Sequence, residues 1–132
     1  MFLNTLREII IHNPSCLLAY LTKLTPLLLS HGNHAEESIR HIAAECLGRL
    51  FVHESNAIME DLRKGLNSTD PKVRSTITRS FKFAGVKETD RMSLEIMMDD
   101  LISKISDSDL SVKRNALESL INIVHNHPES FR

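Results

Sequence analysis

Three stretches of this chain carry an apolar quartet with one and the same spacing. Ile39, Ala43, Leu47 and Leu50, then Val73, Ile77, Phe81 and Ala84, then Val112, Ala116, Leu120 and Ile123 all fall at offsets of 0, +4, +8 and +11. Side chains so spaced line one side of a helix. Fifteen and eleven residues before each quartet lies a second apolar pair: Leu24 and Leu28, Ile58 and Leu62, Met97 and Leu101. The quartets begin 34 and 39 residues apart. A helix with one oily side must cover it, and a helix pair recurring at a near-constant interval does so by stacking on its neighbours.

The fold expected is therefore all-α, an α-solenoid of about three HEAT-like helix pairs with a partial helix at the N-terminal end. The 132 residues suit one such segment. Residues 3–12 read as an orphan second helix. Repeats follow at 14–52, 55–85 and 91–125, with helices over 14–30 and 35–52, 55–67 and 71–85, and 91–106 and 110–125. Residues 127–132 read as the start of a truncated repeat. Pro26 predicts a kink or a division of its helix.

Local chemistry punctuates the same map. Asp70-Pro71 fits an N-cap followed by proline where no amide donor is needed. Asp109 stands in the same place before the last helix. Asn33 with Glu36 suggests a capping box, and Gly85 a C-cap. Asn13-Pro14 and His127-Pro128 open helices 114 residues apart, three repeats averaging 38. The pattern predicts a fragment cut mid-repeat from a longer array. Leu3, Leu6 and Ile10 at one end, and the far face of the last pair at the other, would have lost a neighbour, and a dimer joined there would be an artefact of cutting.

Composition narrows the function. The 16 basic and 17 acidic side chains nearly cancel, so no broad field draws the chain to nucleic acid or anionic lipid. No charged leader precedes an apolar stretch, and no apolar run approaches about 18 residues. Two cysteines, Cys16 and Cys46, read as small packed thiols in a reducing compartment. Asn67-Ser68-Thr69 matches a glycosylation triplet and reads as a polar, solvated turn.

The residues also resemble a family. Ala35-Glu36-Glu37-Ser38-Ile39-Arg40 leading into Ala44-Glu45-Cys46-Leu47-Gly48-Arg49-Leu50 is similar to the cullin-associated, neddylation-dissociated proteins. So are Val73-Arg74-Ser75-Thr76 with Phe81-Lys82-Phe83, and Asp107 to Arg114 followed by Ala116-Leu117, His125-Asn126, Pro128, Ser130 and Arg132. The resemblance implies a piece from the C-terminal third of a long HEAT array. It implies a non-catalytic, protein-binding scaffold in a regulator of cullin-RING ubiquitin ligase assembly and substrate-receptor exchange. The partner implied is the cullin-RING core, met by the full-length array in cytoplasm and nucleus. The family's main clamps lie outside this stretch, so no cullin contact transfers to a residue here. The alternative is a HEAT-type scaffold for nucleic-acid binding or transport.

In HEAT repeats a turn aspartate and a second-helix arginine form a ladder. The turn position here holds His34, Ser68 and Asp107, and the helix position Arg40, Arg74 and Lys113, so the ladder is expected to be incomplete, with rigidity resting on apolar packing. His31, His34 and His41 near Cys46 lack convergent zinc-ligand spacing: His31 and His34 read as solvated turn histidines, His41 lies on the helix beyond, and Cys46 falls on a different face of it. Asp99, Asp100, Asp107 and Asp109 lack the calcium-loop pattern; Asp109 reads as a cap, and Asp99 or Asp100 as a solvated face. Lys72, Arg74, Arg79, Lys82, Lys113 and Arg114 form a basic row without stacking aromatics, read as surface charge. Met92, Met97 and Met98 read as core filler. No nucleophile, phosphate loop or metal motif appears. The chain is expected not to be an enzyme and to carry no cofactor, metal or small-molecule substrate. The partner-binding residues stay unassigned.

Overall fold

The computed structural model describes residues 2–84 and 91–126. In order the elements are α1 (Phe2–His12), a 3-10 helix (Pro14–Tyr20), α2 (Leu21–Ser30), α3 (Glu37–His53), α4 (Ser55–Leu66), α5 (Pro71–Ala84), α6 (Arg91–Lys104) and α7 (Leu110–Asn126). No strand occurs among the described residues. The odd-numbered helices pack on one another in chain order, as do α2, α4 and α6, and α2 lies on α3, α4 on α5 and α6 on α7. This is the two-layered α-solenoid that the repeated stripes predict.

The stripes meet along the seam between layers. Leu47, Leu50, Ile77, Phe81, Ala116 and Ile123 are buried from the odd layer, and Leu28, Ile58, Leu62, Met97 and Leu101 from the other. Phe51 meets Phe81 edge-on, ring centroids 6.3 Å apart, joining neighbouring repeats. Leu24, Val73, Leu120 and Met98 are only partly buried at the margins of this core. The side chains of Ala84 and Met92, together with Gly85 and the pair His127-Pro128, lie outside the described residues.

Parallel stacking is explicit between α5 and α7. Asn115 Nδ2 donates to the Ser75 carbonyl at 3.1 Å, Ser119 Oγ to that of Thr78 at 2.7 Å, and Asn122 Nδ2 to that of Lys82 at 2.6 Å. Donors and acceptors advance together, so the two helices run in the same direction, about 40 residues out of phase. Between α3 and α5 the approach depends on Gly48. A Cβ there would stand 2.1 Å from the Ser80 carbonyl oxygen and 2.8 Å from Phe83 Cβ.

Several local expectations need correction. The segment 14–30 does fall into two pieces, but they meet between Tyr20 and Leu21, more than a turn before Pro26, which itself sits inside α2. Proline cannot donate to the carbonyl four residues back and crowds it, so the change from 3-10 to α geometry falls upstream of the ring. The Asn33–Glu36 capping box does not form: α3 starts at Glu37, and the Glu36 amide donates to His34 Nδ1 at 3.0 Å. Asp70 and Asp109 do cap, accepting the amides of Lys72 at 2.9 Å and Val112 at 3.1 Å. Ser68 is half-buried, its Oγ accepting the Asp70 amide at 3.1 Å, so its turn is less solvated than expected.

The ends differ from expectation too. Leu3, Leu6 and Ile10 are buried, because this stripe of α1 faces α3. Ile9 and Ile11 are exposed instead, and Leu110, Leu117, Ile121 and Val124 lie open on α7.

Candidate functional site

Charged side chains link repeat to repeat. The Arg74 guanidinium grips the Asp107 carboxylate at both ends, Nε to Oδ2 at 2.9 Å and Nη2 to Oδ1 at 3.1 Å. Its Nη1 donates to the Ser68 carbonyl at 2.8 Å. One full rung of the ladder is thus present, which corrects the expectation drawn from Asp107 and Lys113. The partner of the third repeat's aspartate is the second repeat's arginine, because side chains at this turn face across the junction. Burial pushes the Asp107 carboxyl up, but the hydrogen bonds from Arg74 and from the Asp109 amide outweigh it and hold the group below the usual carboxylate range. Arg40, whose counterpart in the next repeat's turn is Ser68 in place of an acid, donates to the carbonyls of His34 and Ala35.

Other pairs follow the same interval. Arg7 reaches Glu45 at 3.4 Å between α1 and α3, and Arg63 Nε reaches Asp100 Oδ2 at 2.9 Å between α4 and α6. Asp100 is therefore a bridging residue and not part of a solvated face, while Asp99 is exposed. Lys82 on α5 pairs with Glu118 on α7. That contact, together with nearby arginines, holds the Glu118 carboxyl below its ordinary range against the opposing effect of burial.

The histidines do not converge. His31 and His34 stack with centroids 6.4 Å apart, His31 Nδ1 lying 2.9 Å from the Leu27 carbonyl. His41 lies 3.3 Å from Glu37 on its own helix. Burial and the neighbouring Arg79 lower its pKa against the raising effect of Glu37. Among the described residues no three His, Cys, Asp or Glu side chains come together as a metal site would require. Cys46 is buried beside Leu3, and burial, helped by Glu45, pushes its thiol up to about 12. Cys16 is exposed, contrary to the packed thiol expected, because its 3-10 helix turns that position outward. No described helix is long and apolar enough to cross a membrane.

What remains is the open side of the odd layer, away from α2, α4 and α6. The basic row divides there. Arg74 and Lys82 are held by acids of the next repeat, and Lys72 is exposed at the start of α5. Arg79, with Arg40 and Arg114 from the flanking helices, lines a polar recess of about 230 Å³ that also includes His41, Ser75 and Asn115. Its Nε is closed to solvent and meets no acceptor among the described residues. Beside the recess, toward the C-terminal ends of the same helices, runs a larger groove of about 1040 Å³. Ile11, Val52, Phe83 and Ile121 give it an apolar floor, and Arg49 lies over the Phe83 ring at 5.7 Å.

In the sequence Arg79 and Arg114 read as members of one row of surface charge with Arg74 and Lys82. The usable signal was register. Arg79 sits six residues after Val73, where the other repeats place Glu45 and Glu118, and those two carboxylates pair with Arg7, Arg49 and Lys82 and not with Arg79.

Comparison with known proteins completes the description. No protein-family model matches the chain. Over its whole length it is 36% identical to Cullin-associated NEDD8-dissociated protein 1 of Dictyostelium discoideum, of which it covers 11%. It is 28% identical, again over its whole length, to Cullin-associated NEDD8-dissociated protein 2 of Mus musculus, covering 11% of that protein. Over 69% of its length it is 30% identical to a protein of Emericella nidulans named Cullin-associated NEDD8-dissociated protein 1, C-terminal part, covering 9% of it. The chain spans about a ninth of the length of these relatives. Matched from end to end by such proteins, and folded as the stacked helical array its sequence repeats predict, the chain belongs to the cullin-associated NEDD8-dissociated family.

Proposed function

We propose that the chain is a non-catalytic scaffold segment of a regulator of cullin-RING ubiquitin ligase assembly and receptor exchange, acting in cytoplasm and nucleus as part of a long array. The observation that carries this reading is its similarity, over its full length, to relatives named for association with cullins and dissociation from NEDD8. The fold agrees with it. A solenoid presents a long surface of fixed spacing, suited to contacting an extended partner at several points. The described residues offer no convergent set of nucleophile, base and oxyanion donors. In this reading the partner is the cullin-RING core, and the segment sets distance and angle between contacts made elsewhere in the array. Two of the basic side chains a nucleic-acid scaffold would need are held by Asp107 and Glu118, which disfavours that alternative.

The test is retention of an unmodified cullin–RING core on immobilised chain, run beside a DNA mobility shift. Weak retention at high protein concentration, without a shift, is the expected outcome. A salt-sensitive shift with no retention of the core would overturn the proposal.

A further inference from the structure

We infer that the open side of the odd layer is a docking site for a partner-protein segment that carries an acidic side chain next to apolar ones. The carboxylate enters the recess of Arg40, Arg79 and Arg114, and the apolar side chains lie in the groove beside it. This deepens the scaffold reading and rests on it only for the class of partner, a protein.

Charge complementarity carries the argument. Arg79 and Arg114 have no carboxylate within ion-pair distance among the described residues, and Arg40 is bonded to carbonyls alone. The acids nearest to them are engaged elsewhere, Glu37 with His41 and Glu118 with Lys82. The Arg79 side chain is half-buried in the recess wall without an ion-pair partner among the described residues, so a carboxylate entering the recess would offset the cost of its partial desolvation. Guanidinium groups match the two oxygens of a carboxylate or phosphate equally well. Two features select the carboxylate. Glu37 and Glu118 stand in the wall of the recess, where a chain of phosphates, carrying more negative charge, would meet more repulsion than a single carboxylate. The adjoining groove has an apolar floor of Ile11, Val52, Phe83 and Ile121, which suits leucine, isoleucine or phenylalanine side chains, and its cations Lys82 and Arg49 are already paired with Glu118 and Glu45.

The two hollows adjoin at Glu118. Glu118 lines both, and its partner Lys82 lines the groove. A segment running along the direction of α3, α5 and α7 would therefore meet the arginines first and hydrocarbon nearer the C-terminal ends of the helices. The kind of partner is specified by this order: acid at one end, apolar residues at the other.

The experiment is selection of a phage-displayed library of random 12-residue peptides on the immobilised chain. Anisotropy titrations of the winning peptides follow, with a 20-nucleotide thymidine oligomer as competitor. Winners are expected to pair Asp or Glu with nearby large apolar residues and to lose at least tenfold in affinity on the R79Q/R114Q double variant. Ile121→Glu, at an exposed groove position, should cause a similar loss. Lys72→Gln should change nothing, and circular dichroism should match the parent for all three variants. Winners without acids, winners unaffected by R79Q/R114Q, an absence of winners, or displacement by the oligonucleotide at equal concentration would each overturn the inference. The cullin retention experiment stands apart: its failure with a positive selection removes the ligase reading and leaves the docking site, and the reverse outcome removes only the docking site.

Discussion

Arg74 and Asp107, 33 positions apart, face each other as a two-toothed clasp between the second and third helix pairs, with only 14% and 8% of their side chains exposed. Shielding from water makes such a pair matter more than an exposed one, because removing either partner strands the other. Asp107→Asn should lower stability by about 2–3 kcal/mol, read from the urea midpoint.

The same clasp sets a pH dependence. With its native pKa held below the ordinary 3.8, Asp107 binds its proton more tightly in the unfolded chain than in the folded one. Its contribution is complete above the unfolded value and is lost as pH falls through the depressed native value. The stability gap between parent and Asp107→Asn should therefore be constant near neutrality and narrow once pH drops below 3.8. A gap that widens on acidification would contradict the assignment.

Gly48 and Gly65 both lie in helices, and replacement by alanine should separate them. In an open helix the change gains about 1 kcal/mol from propensity. At Gly48 the new methyl would strike backbone, the Ser80 carbonyl, so α3 and α5 must move apart. The expected cost is about 3 kcal/mol or more. At Gly65 the obstacle is the Ile77 side chain, 2.7 Å from the added carbon at Cγ1, which can yield by a small rotation. The net change there should stay within about 1 kcal/mol. Equal losses at the two sites would mean that α3 and α5 are not in close contact.

Leu101 is fully buried in the seam between α6 and α7. Leu101→Ala should cost about 2–5 kcal/mol, the range for a core leucine whose cavity only partly collapses. Thermal or urea unfolding by far-ultraviolet dichroism measures it, and a near-zero change would place the stripe on the wrong side.

The two thiols should react very differently. Cys46 is buried with its pKa pushed up to about 12, so little thiolate forms and reagent cannot reach it. Cys16 is exposed. Native chain treated with iodoacetamide at pH 8 should gain one adduct by intact mass, located by proteolysis at Cys16, and two after unfolding in urea.

The architecture was legible because it rests on a periodic quantity. Ile39, Ile77, Phe81 and Ala116 recur in register, and a constant register leaves stacked helix pairs as the way to bury them all. What escaped notice depends on orientation across a junction. Asp107 appeared unmatched because its arginine belongs to the preceding repeat, and Leu3, Leu6 and Ile10 appeared uncovered because the facing side of α3 is not marked by sequence distance. The caps at Asp70 and Asp109 could be read since a cap is a local contact. His34 could not, since its imidazole takes a place usually filled by a hydroxyl or carboxylate. The arginine recess was hidden for a similar reason: a row of like charges does not reveal which members a neighbouring helix will neutralise.

The bonds that tie α7 to α5 are unequal in what can remove them. Asn115, Ser119 and Asn122 supply side chains and each grasps a main-chain oxygen of α5, Asn115 reaching the Ser75 hydroxyl as well at 2.9 Å. Substitution on α5 cannot delete a carbonyl, but substitution at any of the three on α7 deletes a donor. For these three bonds tolerance is thus lopsided: α7 must keep its donors, whereas the sequence of α5 is constrained at other positions, Arg74 and Lys82, whose side chains meet Asp107 and Glu118.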